Sequence, residues 1–261
     1  MQFDVLTLFP EFFDAARLGV TGRAFRELGH QLNIYNFRAF ADNVHAHVDD
    51  APFGGGPGMV LCPDVLRDAL KSVSVFEPRK IIHFSPAAPP LTHKKVLELI
   101  GFSQLILICT RYEGADQRAI ELYVDEEISI GEAVVSGGEL PALFLIDAVC
   151  RWLPGVLGNN ESAERDSFAN GLLDYPHYTR PEMFEGIDVP KVLRCGNHSA
   201  VALWRLRESM IRTKKMRPDL WNLFLRDRVN ELSSSEQWAA WQAEHPEDCD
   251  KDKPKGWKGF V

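Results

Sequence analysis

The sequence predicts an α/β fold with a parallel sheet, joined to a smaller helical region. Three observations carry this. Short apolar, β-branched runs recur along the first part of the chain. Helical stretches stand between them, so strand and helix alternate. Near Gly155 the composition turns polar and rich in Gly, Asn, Asp and Pro, and beyond that stretch the pattern is helical.

Taken in order, "FDVLTLF" (3–9) is a buried first strand closed by Pro10, and "EFFDAARLGVTGRAFREL" is helical around Gly19 and Gly22. "LNIYNF" is a second strand, and "DDAPFGGGPGM" (49–59) is a loop. A helix opened by Pro63-Asp64 follows, then "KIIHFS", the helix "THKKVLELI" and the strand "QLILICT". "DQRAIELYV" is a short helix, "EEISI" and "AVV" are short strands, and a helix runs from Ser136 through "ELPALFLIDAVCRWL". The polar stretch after Gly155 reads as a long loop or linker, which in compact proteins is often functional. Helices over "SAVALWRLRESMIRTKKM" and "SSSEQWAAWQAEH" precede a tail-like end. The expected domains are 1–157, a linker 158–174, a helical domain 175–247 and a tail 248–261.

The 261 residues are 45% hydrophobic and 25% charged, the balance of an ordinary globular protein. A formal net charge of −8 argues against a nucleic-acid binder, while leaving room for a local basic patch on an acidic body. The five cysteines have no C-x-x-C spacing, so neither a zinc site nor a disulfide framework is expected, and a reducing cytosol fits. "MQFDVLTLFPEFF" has an early acid and no basic segment, unlike a signal peptide. The apolar stretches are too short for a membrane span.

Within "SIGEAVVSGGELPA" (129–142), Ser136 and Glu139 have capping-box spacing, which by itself explains a helix start. Alternatively, Gly137 and Gly138 let a ligand lie against bare backbone. No G-x-G-x-x-G accompanies them. "FGGGPGM" (53–59) could nest an anion, but the Lys-Ser/Thr of a phosphate-binding loop is missing. Asp166 stands in a polar loop, where solvation or helix capping is the ordinary role of an Asp. Arg151 falls at the end of a long helix, where a cation suits the dipole. "WRLRESMIRTKKMR" (204–217) holds six basic residues and one acid, with Trp204 among them; a solvated helix face is the ordinary reading, and it is also the best candidate for a phosphate footprint on this acidic chain. His45 and His47, two residues apart, do not suit a helical metal site.

Several segments together resemble one family. They are "LFPEFF", "GVTGRA", "VDDAPFGGGPGM", "TRYEGADQR", "DEEISIGEAVVSGGELPA", "RWLPGVLG", "SAERDSFANGLLDYPHYTRPE" and "VLRCGNH…WRL", in order along most of the chain. They look like the TrmD family of bacterial tRNA (guanine-N1)-methyltransferases, which act on guanosine 37 beside the anticodon. The resemblance implies a SPOUT-type sheet with a deep trefoil knot, S-adenosylmethionine bound in the knot, and a homodimer sharing its site. It also implies a tRNA-gripping helical domain, a cytoplasmic location and a possible Mg²⁺ requirement, with no metal-ligand set assigned.

Position by position, the implied cofactor walls are Phe84-Ser85-Pro86, then Thr110 with Tyr112, Glu113 and Gly114, then Ile130-Gly131, Ala133, Val135, Gly137-Gly138 and Pro141. Asp166 matches the family's general base and Arg151 its catalytic arginine. Asp49, Pro57 and Gly58 match contacts to the target guanosine or its neighbour. The chain departs from the family pattern at Ala87-Ala88-Pro89, Thr110, Glu132, Ala133, Ala46 and Ala51. Those departures motivate a second reading, a diverged knot protein that binds tRNA or cofactor without turnover.

Overall fold

The computed structural model describes residues 1–42, 45–158, 166–245, 253, 254 and 257. It divides into two compact units, Met1–Asn160 and Glu161–Val261.

The first unit is built on a five-stranded sheet. Its strands are β1 (Gln2–Thr7), β2 (Gln31–Asn36), β5 (Arg79–Phe84), β6 (Gln104–Ile108) and β7 (Glu126–Ile128), in the order β2-β1-β6-β5-β7. Every neighbouring pair is parallel. The helices are α1 (Gly19–Glu27), α2 (Pro63–Ser72), α3 (His93–Leu99), α4 (Gln117–Tyr123) and α5 (Glu139–Cys150).

The apolar runs are strands because both faces are covered. Leu105 and Leu107 of β6 point into one core with Phe3, Val5, Ile82 and the α5 residues Leu145, Ile146 and Val149. Ile106 and Ile108 point into the other, with Leu6, Ile81, Leu66 of α2 and Ile120 of α4. The side-chain period of two sorts them.

A buried carboxylate lies inside the sheet. Asp4 is 0% exposed and accepts hydrogen bonds from Gln2 Nε2 (2.8 Å), Gln104 Nε2 (2.6 Å), Asn33 Nδ2 (2.9 Å) and Tyr35 OH (3.3 Å). Four donors from three strands offset its desolvation. Burial, with Asp4 close by, pushes the Tyr35 phenol above its usual pKa.

The structure departs from the sequence pattern in several places. Pro10–Arg17 forms a 3-10 helix, and "AVV" is coil. Within 49–61 a two-residue ladder forms, β3 (Asp49–Asp50) pairing antiparallel with β4 (Val60–Leu61). The capping box at Ser136 does not form. The helix α5 starts at Glu139 with Gly138 as its cap residue, and no side chain caps it. Glu139 is instead buried and committed to Thr7 and Arg111. A capping box does occur at Ser233 and Glu236.

In the second unit, a short hairpin of β8 (Met183–Phe184) and β9 (Ile187–Asp188) precedes helices α6 (His198–Met216), α7 (Pro218–Asp227) and α8 (Ser234–Glu244). The sequence reading missed α7; Pro218 opens it, and it buries Trp221 and Phe224. Leu172, inside the expected linker, is 1% exposed and packs with Met210, Trp221 and Phe224. Thr213 Oγ1 accepts from Leu173 N at 2.8 Å beside it. Residues 159–165 and most of the tail lie outside the described residues.

A Cβ added to Gly138 would meet Cys109 Cα at 2.7 Å, whereas one added to Gly158 meets nothing within 4 Å. Gly138→Ala is therefore expected to destabilise the first unit by about 1–3 kcal/mol or to block its folding. Gly158→Ala is expected to unfold in urea at nearly the wild-type midpoint.

A candidate active site at the carboxyl ends of three strands

Parallel α/β sheets bind ligands beyond the carboxyl ends of their strands. Here a cavity of about 480 Å³ lies past the ends of β5, β6 and β7. Three chain segments wall it. Phe84-Ser85-Pro86 continues β5, residues 110–115 continue β6, and residues 129–138 continue β7. The third segment is tied to both others. Ser129 N donates to Pro89 O (2.9 Å) and Leu91 N to Ser129 O (2.7 Å); at its far end Gly138 N donates to Thr110 O (2.9 Å).

The two adjacent glycines serve this far end. At Gly137 a Cβ would meet Arg111 Cδ and Nε at 2.4 Å and Glu139 Oε2 at 2.6 Å. The missing side chain makes room for a charge pair. Arg111 Nε lies 3.0 Å from Glu139 Oε2, in the geometry of a charge contact rather than a directed hydrogen bond. Glu139 is 1% exposed. Thr7 Oγ1 donates to Glu139 Oε1 at 2.8 Å. Arg111 Nη1 also reaches Ser136 O and Oγ at 3.3 Å each, and its guanidinium carbon sits 4.4 Å from the centre of the Phe9 ring. A buried pair this well surrounded holds the two walls in register.

Across the cavity, His83 Nδ1 lies 2.7 Å from Glu127 Oε1 and Nε2 lies 3.0 Å from Thr110 Oγ1. Burial pushes the imidazole below its usual pKa, against the opposing pull of the Glu127 carboxylate. Burial, with the Glu139 carboxylate close by, pushes the Cys109 thiol well above its usual pKa, so this cysteine is inert.

The cavity collects Phe84, Ser85, Pro86, Thr110, Tyr112, Glu113, Gly114, Ile130, Ala133, Val135, Gly137, Gly138 and Pro141. Gly131 is not on its surface; it holds φ +133° in the same segment, where its N–H donates to Ser129 Oγ at 3.1 Å. The departure at 87–89 leaves a turn fastened by Ser85, to which Ala88 N donates at 3.2 Å through the carbonyl. The departure at Thr110 supplies the hydroxyl that meets His83.

Gly58, at φ +84°, touches this wall: a Cβ there would meet Glu113 Oε1 at 2.6 Å. Asp49 sits in β3, in a small recess shared with Thr110 and Tyr112. Pro57 is exposed on the glycine loop. Arg151 follows α5 as its cap residue and is partly buried, as is Asp166 of the second unit.

Sequence reasoning missed His83, Arg111, Glu127, Ser129 and Ser136 as lining residues. Arg111 stood between two residues it did assign. A histidine inside an apolar strand carries no sequence signal of its own. Among the described residues no group of three His, Cys, Asp or Glu could hold a metal ion, so the Mg²⁺ expectation has no ligand set here. No helix among the described residues is long and apolar enough to cross a membrane.

The residues fit S-adenosylmethionine by their chemistry. Phe84, Pro86, Ile130 and Pro141 give apolar walls; Glu113 and Glu127 give carboxylates for hydroxyls or a cation; bare backbone stands at the glycines.

The family model described as tRNA (Guanine-1)-methyltransferase TrmD matches residues 1–223. A tRNA (guanine-N(1)-)-methyltransferase of Neisseria meningitidis is 52% identical over 223 residues, covering 84% of this chain and 90% of the relative. One of Dechloromonas aromatica is 52% identical over 228 residues with the same coverage. One of Shewanella is 51% identical over 236 residues, covering 89% of this chain and 95% of the relative.

The lowered His83 pKa gives stability a pH dependence of known sign. The folded state favours neutral imidazole, so this contribution is complete above the unfolded value of 6.5 and is lost as pH falls through the lower folded value. Wild-type unfolding midpoints are expected to drop between pH 7.5 and 5.5, and less so in His83→Gln. His30 is lowered in the same direction, so a residual slope belongs to it.

Proposed function

We propose, for a chain that belongs to the TrmD family of tRNA (guanine-1)-methyltransferases, that it methylates N1 of guanosine 37 in tRNA using S-adenosylmethionine. The observation that carries this reading is the cavity beyond β5, β6 and β7, whose lining includes all the assigned cofactor residues but Gly131. The ties of residues 129–138 to 89–91 and to 110 support a knotted thread through this region. The cytoplasm, where tRNA is modified, is the location that follows.

Bound S-adenosylmethionine supplies an electrophilic methyl group whose sulfonium charge disappears on transfer. The protein would orient it: apolar walls exclude water, and Glu113 and Glu127 would supply carboxylates to its positive and hydroxylated parts. Guanine N1 carries a proton and is a poor nucleophile, so Asp166 accepts that proton as the methyl bond forms. The negative charge that would gather on O6 is met by the Arg151 guanidinium. Asp49, Pro57 and Gly58 receive the target base or its neighbour once it leaves the anticodon-loop stack. The contact of Gly58 with Glu113 joins that loop to the cofactor wall.

A homodimer is supported by an apolar surface on the first unit. Leu140 and Phe144, four residues apart on α5, are 47% and 55% exposed, and Leu18 is 70% exposed. One helix face carries both α5 residues, and a monomer gains nothing from leaving them in water.

In a single-turnover assay on a guanosine-37 transcript, Asp166→Ala is expected to lose methyl transfer by about 10²- to 10⁴-fold while calorimetry still detects S-adenosylmethionine binding. Normal turnover in that variant would remove Asp166 as the base, and cofactor binding without turnover in the wild type would favour the binding-only reading. Phe144→Asp is expected to shift the sedimentation coefficient from dimer to monomer.

A further inference from the structure

We propose that a cleft in the second unit holds an unstacked nucleobase of the RNA substrate together with its phosphate. This rests on tRNA being that substrate, and it adds a site remote in sequence from the cavity beyond the sheet. The cleft, about 350 Å³, is formed by residues 175–182, by 189–194 and by the start of α6. That is the size of a small-molecule site.

Its walls combine two chemistries. Tyr178 and Trp204 have ring centres 6.2 Å apart with planes tilted by 56°, and Tyr178 is 47% exposed. The Arg205 guanidinium carbon lies 4.9 Å from the centre of the Tyr175 ring. Arg205 Nε is buried and has no hydrogen-bond partner among the described residues. Arg180 and Arg194 also line the cleft.

Among the described residues, the only carboxylate in the lining is Glu182, and Arg194 Nη1 engages it at 2.8 Å. Nearby Asp174 is engaged by His177 Nε2 at 2.8 Å. The cleft is thus locally basic on a chain whose formal net charge is −8. Elsewhere the basic cluster of 204–217 is partly spent: Lys214 pairs with Glu244 at 3.3 Å, Arg207 with Glu208 at 3.4 Å and Arg217 with Asp219 at 2.6 Å.

Exposed aromatic faces bind a π-surface, and guanidinium groups bind phosphate; a free anion would not use the rings, and an apolar ligand would not use the arginines. A nucleotide with its base splayed out uses both, and single-stranded RNA loops present such nucleotides.

The test is equilibrium binding of a fluorescently labelled tRNA transcript to the full-length chain across a salt series, beside a methylation assay. Tyr178→Ala is expected to weaken binding about tenfold at every salt concentration with the salt slope unchanged. Tyr178→Phe, which keeps the ring, is expected to bind like wild type. Arg180→Gln is expected to reduce the salt slope by about one. Wild-type affinity in Tyr178→Ala, or an equal loss in Tyr178→Phe, overturns the stacking site while leaving the enzymatic reading intact. A wild-type chain that binds the transcript without methylating it overturns the enzymatic reading and leaves the cleft standing.

Discussion

The backbone of residues 137 and 138 lies directly against that of residues 109 to 111, and the architecture of the site depends on this approach. Gly138 has no room for a single added carbon next to Cys109, and its N–H is donated to the Thr110 carbonyl. Pairing that N–H with that carbonyl leaves neither group orphaned at the crossing. The helix α5 starts at the next residue. The same contact therefore fixes where α5 begins, where its apolar side meets the sheet, and how wide the cavity is between the ends of β6 and β7.

The charge pair beside the crossing has a related role. Glu139 is buried at the first turn of α5, where the helix dipole favours an anion. Arg111 reaches it from the segment after β6 and Thr7 from the last position of β1. Replacing Arg111 with a neutral group would leave the buried Glu139 carboxylate without its cation, a more serious loss than the pair's own net contribution. The end of β1, the segment after β6 and the start of α5 thus share one small electrostatic cluster beside the cavity.

Much of the sheet was legible because parallel strands covered on both faces leave an unmistakable apolar record, as "QLILI" does in β6. The helix starting near residue 139 was legible in position but not in cause. The Ser136–Glu139 spacing matches a cap, yet Glu139 found partners 28 and 132 positions away in sequence. No local rule anticipates those. The segments proposed to hold the cofactor could be assigned only by likeness to a family, because chain segments far apart in sequence meet at the cavity without any shared periodicity. His83 and Arg111 stayed hidden for the same reason. The helix α7 was overlooked because "PDLWNLFLRD" follows a basic run and is short, although its opening proline was a sound start signal.

Asp4 lies at the opposite end of the sheet from the cavity, and its four donors have a consequence for how the strands find their alignment. Asn33 and Tyr35 reach it only because they share one face of β2, and Gln104 only because it opens β6 opposite residue 2. A slip of one residue in either neighbour would turn those donors to the other face and leave a carboxylate in a dry interior. The aspartate thus acts as a parity check: apolar residues on both faces would tolerate a shifted pairing, and this one charged atom group would not. Strand alignment is verified at the amino end, and the cavity at the carboxyl end is built on strands already set in step.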